Sequence, residues 1–447
     1  MNLRKTIIPL GLLALTSLYN VSSSQAADNF KDKPYLGWSS WSLQATKYPG
    51  YGGEISEQTW LSAQHIKEQS DAMAARLQAH GYTYINIDSG WGNGWDEFGR
   101  PTANAQRFPG GIREVADYVH AKGQKLGIYY IPGISDDLLT LNPPIKGTAY
   151  HIRDIVFSPR RHANGWGGGN AIDFSKPGAQ EYIQSIADQF AAWGIDFLKF
   201  DGITPGSDQR DPTIDARPDV AAWDRALKKT GRPIWLTLSW NLDLFDNAFW
   251  RQNSNAIRTG SDVESYDDKL THWPQIKWRF GAVRRSWMLA GRGKGWNDLD
   301  SLLIGNAEMS GLTPDERRTT MTLWAIHCSP LYSGDDLTKL DPLGLELLTN
   351  DEVIAVQQGG IVASPVNSDL QKQIWTINEG KGKRVVVLFN LGDEAQTLAV
   401  SWKELAMGGL WNVRDLWTHQ DLGKEKEEFS AVLAPHSCRL LRLTATR

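Results

Sequence analysis

From about residue 34 to residue 340 the chain alternates short apolar, β-like runs with helical stretches. No other feature constrains the fold as much, because strands that alternate with helices make βα units and a parallel sheet. The candidate strands are residues 35–41, 82–91, 125–132, 197–203, 233–240, 256–263, 295–301 and 327–333. Eight such units predict an α/β fold, a closed (β/α)8 TIM barrel. Several are near-continuous apolar runs, such as Ile128-Tyr129-Tyr130-Ile131, as expected of strands covered on their outer face. The helices carry their own signals. Residues 60–77 have apolar side chains at helical spacing and end near Gly81, and a helix over 179–193 starts after Pro177 and ends at Gly194. Thr313-Pro314-Asp315-Glu316 combines an N-cap, a first-turn proline and a capping-box glutamate, opening a helix towards Ile326. Residues 141–170, rich in Gly, Pro and Arg, read as a long loop after strand three. Barrel loops of that length are functional or mobile.

After about residue 355 the texture changes. Residues 373–377, 384–389, 397–402 and 440–443 look like strands separated by turns such as Asn378-Glu379-Gly380. The expected domains are therefore a barrel over 28–355 and a small antiparallel, sandwich-like β domain over 356–447. Residues 1–27 read as an export signal: Arg4 and Lys5, an apolar run over 7–18, then Ser24-Gln25-Ala26. A periplasmic or extracellular location is expected. No later stretch approaches the ~20 apolar residues of a membrane span, so no membrane partner is expected. The net charge of −4, with Lys and Arg scattered, argues against nucleic acid. Of the nine His residues none is paired as HxH or HExxH, so neither metal nor cofactor is expected. Cys328 and Cys438 are either bridged or two buried thiols. The 20 Trp residues fill cores, or offer flat faces to sugar rings.

Barrel enzymes carry their reactive groups at the C-terminal ends of the strands. Strand one ends near Trp38 and Trp41, strand two at Asp88, strand three past Tyr129, strand four at Lys199 and Asp201. Strand five ends at Ser239-Trp240, strand six at Arg258 and Asp262, strand seven at Trp296, Asp298 and Asp300. Carboxylates thus end several strands around one mouth. Glycoside hydrolysis needs two, one attacking the anomeric carbon and one protonating the leaving oxygen. Each residue also has a plainer reading: Asp201-Gly202 as a turn, Asp298 as a turn former, Trp38 and Trp91 as core.

Together these segments resemble the melibiase-type α-galactosidases and relatives of glycoside hydrolase family 27. The resemblance rests on Leu36-Gly37-Trp38-Ser39-Ser40-Trp41, Ile87-Asp88-Ser89-Gly90-Trp91, Arg107-Phe108-Pro109-Gly110-Gly111-Ile112 and Lys125-Leu126-Gly127-Ile128-Tyr129. It continues through Leu198-Lys199-Phe200-Asp201-Gly202, Trp296-Asn297-Asp298-Leu299-Asp300, Leu323-Trp324-Ala325-Ile326, Ser329-Pro330-Leu331 and Asn350-Asp351-Glu352-Val353-Ile354-Ala355. It implies Asp201 as nucleophile, Asp262 as acid/base and Arg258 near the 2-hydroxyl. Trp41, Asp88, Tyr129, Lys199 and Asp300 would line the sugar pocket, with Ser89, Ser239 and Trp240 as further substrate-binding residues. An acid that keeps its proton at working pH predicts a raised pKa for Asp262.

Two departures bear on the sugar. Ser89 stands where galactosidases carry a second Asp for the 4- and 6-hydroxyls, and Ser239 where many carry a Glu that reads the 2-hydroxyl. A Ser at the latter position also occurs in the α-N-acetylgalactosaminidase branch, which has a small residue where Leu242 stands. The expected function is a retaining exo-α-glycosidase acting on an oligosaccharide or polysaccharide with a terminal α-linked sugar, foremost an α-galactosidase. The alternatives are a relative acting on α-1,6-glucan or an α-arabinosyl-type linkage, and, in another class, a non-catalytic carbohydrate-binding protein. Oligomeric state is left open.

Overall fold

The computed structural model describes residues 30–55, 60–207 and 211–446; the expected export signal lies outside them. The eight expected strands are all present: β1 Leu36–Ser39, β2 Tyr84–Ile87, β3 Lys125–Tyr130, β4 Ile195–Phe200, β5 Trp235–Leu238, β6 Ala256–Arg258, β7 Trp296–Asp298 and β8 Leu331–Ser333. They form one parallel sheet in the order β8-β1-β2-β3-β4-β5-β6-β7. Just past β7 a parallel bridge between Leu302 and Ser333 joins the two ends of that order, with Leu302 N donating to Tyr332 O and Gly334 N to Leu302 O. This closes the barrel, followed by the antiparallel C-terminal β domain.

Successive residues of a strand point to opposite faces, and here each face has its own chemistry. Outward-facing Leu36, Trp38, Ile85, Ile87, Leu198, Phe200, Leu236, Leu238 and Ile257 join the large core between strands and helices. Inward-facing Tyr35, Tyr84, Phe197, Trp235, Ala256, Trp296 and Tyr332 form a separate aromatic cluster at the barrel floor. Tyr35 packs against Tyr84, Phe197, Trp235 and Tyr332 at ring separations of 5.0–5.7 Å. Gly127 permits that filling, since a Cβ there would lie 2.1 Å from Asn86 Oδ1 and 2.7 Å from the Phe197 ring. Trp38 and Trp91 are core residues, with indole N–H groups donating to Asp335 O and Tyr129 O.

The helix expected over 60–77 runs Ala63–Arg76, capped by Ser62 and ending through a left-handed Gly81. Ala179–Trp193 ends at a left-handed Gly194, and Pro314–Ile326 opens with the full Thr313/Glu316 capping box. The segment read as one long loop is more ordered than expected. Helix Asp136–Leu141 runs into it, and it holds a 3-10 turn Ile152–Ile155 and several isolated bridges.

Beyond helix Asp351–Gln358, a six-stranded antiparallel sheet includes Lys372–Gly380, Lys383–Asn390 and Cys438–Ala445. It packs on a two-stranded antiparallel sheet of Gln396–Ser401 and Glu428–Leu433. Its other face, through Trp375, Val385, Val387 and Phe389, is continuous with the barrel core. Three longer strands of this domain escaped the sequence reading, Trp411–Asp415, Gln420–Glu425 and Glu428–Leu433, as did the short Ser364–Pro365 here and the pair Gly92–Trp95 and Pro101–Ala103 beside the barrel. The second has every residue exposed and the third alternates weakly, so neither shows a clean apolar period. Cys328 and Cys438 are buried free thiols, not a bridge. Among the described residues no helix is long and apolar enough to cross a membrane.

Candidate active site

Above the aromatic floor the inward-facing positions turn polar. Asn86 and Asp88 follow Tyr84, Lys199 and Asp201 follow Phe197, Thr237 and Ser239 follow Trp235, Arg258 follows Ala256, and Asp298 and Asp300 follow Trp296. The two-residue step thus stacks an apolar layer beneath two polar ones. The resulting pocket is lined by Trp41, Asp88, Lys199, Arg258 and Asp300 of the expected set, with Asn86, Thr237, Asp298 and Tyr332 among the additions.

Lys199 holds one side. Its Nζ donates to Asp88 Oδ2 at 2.9 Å and stands 5.5 Å from the Tyr129 ring centroid. Burial works against its charge, but Asp88 and Asp201 outweigh that and raise its pKa. Asp88 is fixed in turn by N–H donation to Ser40 Oγ and by accepting from Ser89 N on Oδ1. Asp201 Oδ1 accepts from Gly202 N at 2.9 Å. Burial raises the Asp201 pKa, Lys199 opposes the rise, and the charge of Asp262 adds to it.

Arg258 holds the other side. Its Nη2 donates to Asp262 Oδ1 at 2.9 Å and to Asp300 Oδ2 at 2.7 Å. Asp300 also accepts from Val263 N and from the Tyr332 hydroxyl. It sits at φ +81°, a strained conformation for a non-glycine residue that this set of bonds holds in place. Asp298, left open between roles, accepts from Asp300 N and Tyr332 Oη, and burial pushes its pKa up to about 6. Its contacts make it the support of Asp300.

The expectation of a raised Asp262 pKa is corrected. Burial favours its neutral form, but Arg258, Lys199 and the hydroxyl of Tyr266, which donates to Asp262 Oδ2, outweigh burial and lower it. The raised carboxyls around it are Asp201, Asp298 and Glu264. Glu264 is buried, accepts from Ser42 Oγ at 2.6 Å on Oε1, has no partner on Oε2, and is pushed up to about 8 by burial and by the charges of Asp300 and Asp262. Oxygens of Asp262, Glu264 and Asp300 lie within 4.8 Å of one another, a spacing that a cation can bridge. Arg258 already bonds two of the three, and Arg279 lies 3.8 Å from Asp300 Oδ2, so the cluster has its positive charge from the chain.

The remaining expected residues sit at the rim. Ser239 Oγ is buried without a hydrogen-bond partner of good geometry, although it favours the ionised form of Asp201. Trp240 is tied by its backbone to Ser207 Oγ, and Ser89 O accepts from Gln44 Nε2. Trp41 Nε1 donates to Tyr266 Oη at 3.2 Å. Ser89, Tyr129, Asp201, Ser239, Trp240 and Asp262, of the expected set, do not line the deep pocket itself. Sequence reasoning missed Asn86, Glu264, Tyr266 and Tyr332. The alternation running back from Asp88 marks Asn86, whereas Glu264 and Tyr266 lie on an irregular loop with no periodic signal.

Comparison with known proteins places this geometry. The sequence family described as alpha galactosidase A matches residues 33–136 and 168–359, and the alpha galactosidase C-terminal beta sandwich domain matches residues 369–443. Alpha-galactosidase 2 of Arabidopsis thaliana is 30% identical over 442 residues, covering 95% of each chain. The alpha-galactosidase of Cyamopsis tetragonoloba is 30% identical, covering 95% of this chain and 90% of its own. Among solved structures, a GH27 β-L-arabinopyranosidase from Geobacillus stearothermophilus superposes with a TM-score of 0.84 at 29% identity, covering 93% of this chain and 97% of that one. Alpha-galactosidase I of Mortierella vinacea gives 0.71 at 26% identity, covering 94% and 100%. The chain is a glycoside hydrolase and belongs to glycoside hydrolase family 27.

Proposed function

We propose that this enzyme removes a terminal α-galactosyl residue, or one of the same ring configuration, by double displacement with retention. The observation that carries the reading is that Asp201, at the end of β4, and Asp262, on the loop after β6, lie beside two cations that line the pocket: the charge of Lys199 acts on both, Arg258 bonds Asp262, and the charge of Asp262 reaches Asp201. Asp201, next to Lys199, attacks the anomeric carbon and forms a glycosyl-enzyme, while Asp262 delivers a proton to the departing oxygen. Asp262 then takes a proton from water, and the hydroxide attacks the same carbon to release the sugar and free Asp201. The lowered pKa of Asp262 suits the second step. In the first, covalent attack consumes the negative charge of Asp201, and a bound sugar displaces solvent from the mouth. Asp88, Lys199, Tyr129, Arg258 and Asp300 would hold the hydroxyls of the bound ring, with Trp41 as a wall.

A second sugar is favoured by one residue. Ser89 supplies no carboxylate beside Asp88, so the grip on a C6 hydroxyl is weakened. A β-L-arabinopyranoside has the galactose ring configuration and lacks that carbon, and the Geobacillus relative is named for this activity. The test is hydrolysis of aryl α-galactoside, β-L-arabinopyranoside and α-glucoside by the wild type, with the first-formed anomer read by NMR. A preference for either of the first two, with the product anomer retained, supports the reading. Preference for the glucoside, an inverted product, or activity on none overturns it. We also take residues 1–27 as an export signal, which N-terminal sequencing of the mature protein checks.

A further inference from the structure

The family match is interrupted: it covers 33–136 and resumes at 168. The intervening segment, 137–167, lies outside that match, and it ends against the residue that follows Asp201. Asn164 is buried at 1% exposure and organises the turn. Its Nδ2 donates to Pro132 O just past β3, while its Oδ1 accepts from Trp166 N at 3.2 Å and Gly168 N at 3.1 Å. Gly165 N donates to Gly202 O at 2.9 Å, tying the turn to the residue after Asp201. Gly202 has φ +72°, and a Cβ built on it would meet Trp166 Cζ3 at 2.9 Å. The indole therefore packs directly on the Asp201-Gly202 backbone.

Trp166 is nevertheless 43% exposed, on a turn held by a buried polar side chain. Held in place by that buried side chain, the open ring offers a ligand a preformed face, whose ordering costs little on binding. The aromatic floor closes the lower end of the barrel, so whatever is joined to a sugar bound in the pocket must leave over this rim. Another half-open aromatic beside the carboxylates is Tyr266, 37% exposed, with its hydroxyl on Asp262. A pyranose ring has one face of C–H groups and a polar edge, which suits a fixed indole face bordered by hydrogen-bonding groups.

We propose that segment 137–167 builds a leaving-group subsite, with Trp166 as its platform, for the pyranose attached to the scissile bond. The enzyme is then adapted to oligosaccharide or polysaccharide substrates in preference to glycosides of small leaving groups. The inference rests on the reading above that the bond is cut between Asp201 and Asp262.

The experiment compares wild type, Trp166→Ala and Trp166→Phe on two substrates that share a glycone. One is the glycosyl fluoride, whose leaving group reaches no subsite; the other is the 1,6-linked disaccharide of the same sugar on a hexose. The glycone is α-galactosyl or β-L-arabinopyranosyl, whichever fluoride the wild type turns over faster. In Trp166→Ala, kcat/KM on the disaccharide is expected to fall about tenfold or more, the scale of a lost aromatic anchor. On the fluoride it stays within about twofold, which also reports an intact fold and pocket. Trp166→Phe, which keeps a ring, loses less on the disaccharide and decides the matter if the alanine variant does not fold. An undiminished disaccharide rate, or equal loss on both substrates in the phenylalanine variant, overturns the subsite. Failure of the wild type on both fluorides instead overturns the proposed function, and the subsite with it.

Discussion

The barrel mouth and the C-terminal sheet are both buried, yet they treat charge in opposite ways. Around the mouth, Asp201, Glu264 and Asp298 are carboxyls whose pKa values burial raises, and Glu264 keeps one oxygen unpartnered. In the β domain the inner layer is Ile374, Val386, Leu388, Leu398, Val400 and Leu441. Its buried Asp415 is paired to Arg439 at 2.7 Å, and carboxylates such as Asp369 and Glu404 are exposed and held down by backbone N–H groups. Burying a carboxyl without full pairing costs stability. The β domain avoids that cost, while the mouth accepts it around the groups proposed to attack and to transfer protons. The comparison teaches where stability and activity separate in this molecule.

The sharpest way to break it is Asp201→Ala. Turnover should fall by a factor on the order of 10⁴ or more, as for loss of a covalent nucleophile. The melting temperature should stay level or rise, because a buried carboxyl is removed; a large fall would mean that Asp201 is structural. The opposite substitution is Trp375→Ala in the face of the sheet that meets the barrel. Fully buried and edge-on to His327 at 4.7 Å, Trp375 should cost about 3–5 kcal/mol in denaturant unfolding, with kcat of the folded fraction unchanged. Loss of activity in the folded fraction would show that the β domain shapes the site.

The smallest effect is one of pH. Asp219, in the first turn of the helix Arg217–Lys229, is 3% exposed, and burial lifts its pKa to about 8 with Oδ1 unpartnered. A folded-state pKa above the unfolded ~4 means that stability from this group is complete below about pH 4 and lost as pH rises through 8. Asp219→Asn should therefore flatten the decline in melting temperature between about pH 4 and pH 8 and leave the value nearly unchanged at pH 4 and below. An unaltered slope would show that Asp219 ionises in the folded protein as readily as in the unfolded chain.

Much of the site was legible because barrel geometry is periodic. Once β4 is placed, Phe197, Lys199 and Asp201 must share the inner face, and the same step links Tyr84, Asn86 and Asp88. Failures came where the chain is irregular. Tyr266 reaches Asp262 from a residue at φ +61°, and Arg258 turns the same nitrogen onto two carboxylates. Neither contact is written in a spacing, so the direction of the Asp262 pKa was misjudged. In the β domain, exposed Gln420–Glu425 shows no alternation because both faces meet water.

The sequence by itself determined the eight βα units, the polar ends of the strands and the identity of the carboxylates, because local periodicity and family motifs are properties of neighbouring residues. Only the tertiary structure decided which carboxyl is held charged, how Arg258 is shared, and that Trp166 lies on Gly202. Those outcomes depend on burial and on distances between residues far apart in the chain, and the cost of an unpaired buried charge is set by what surrounds it after folding.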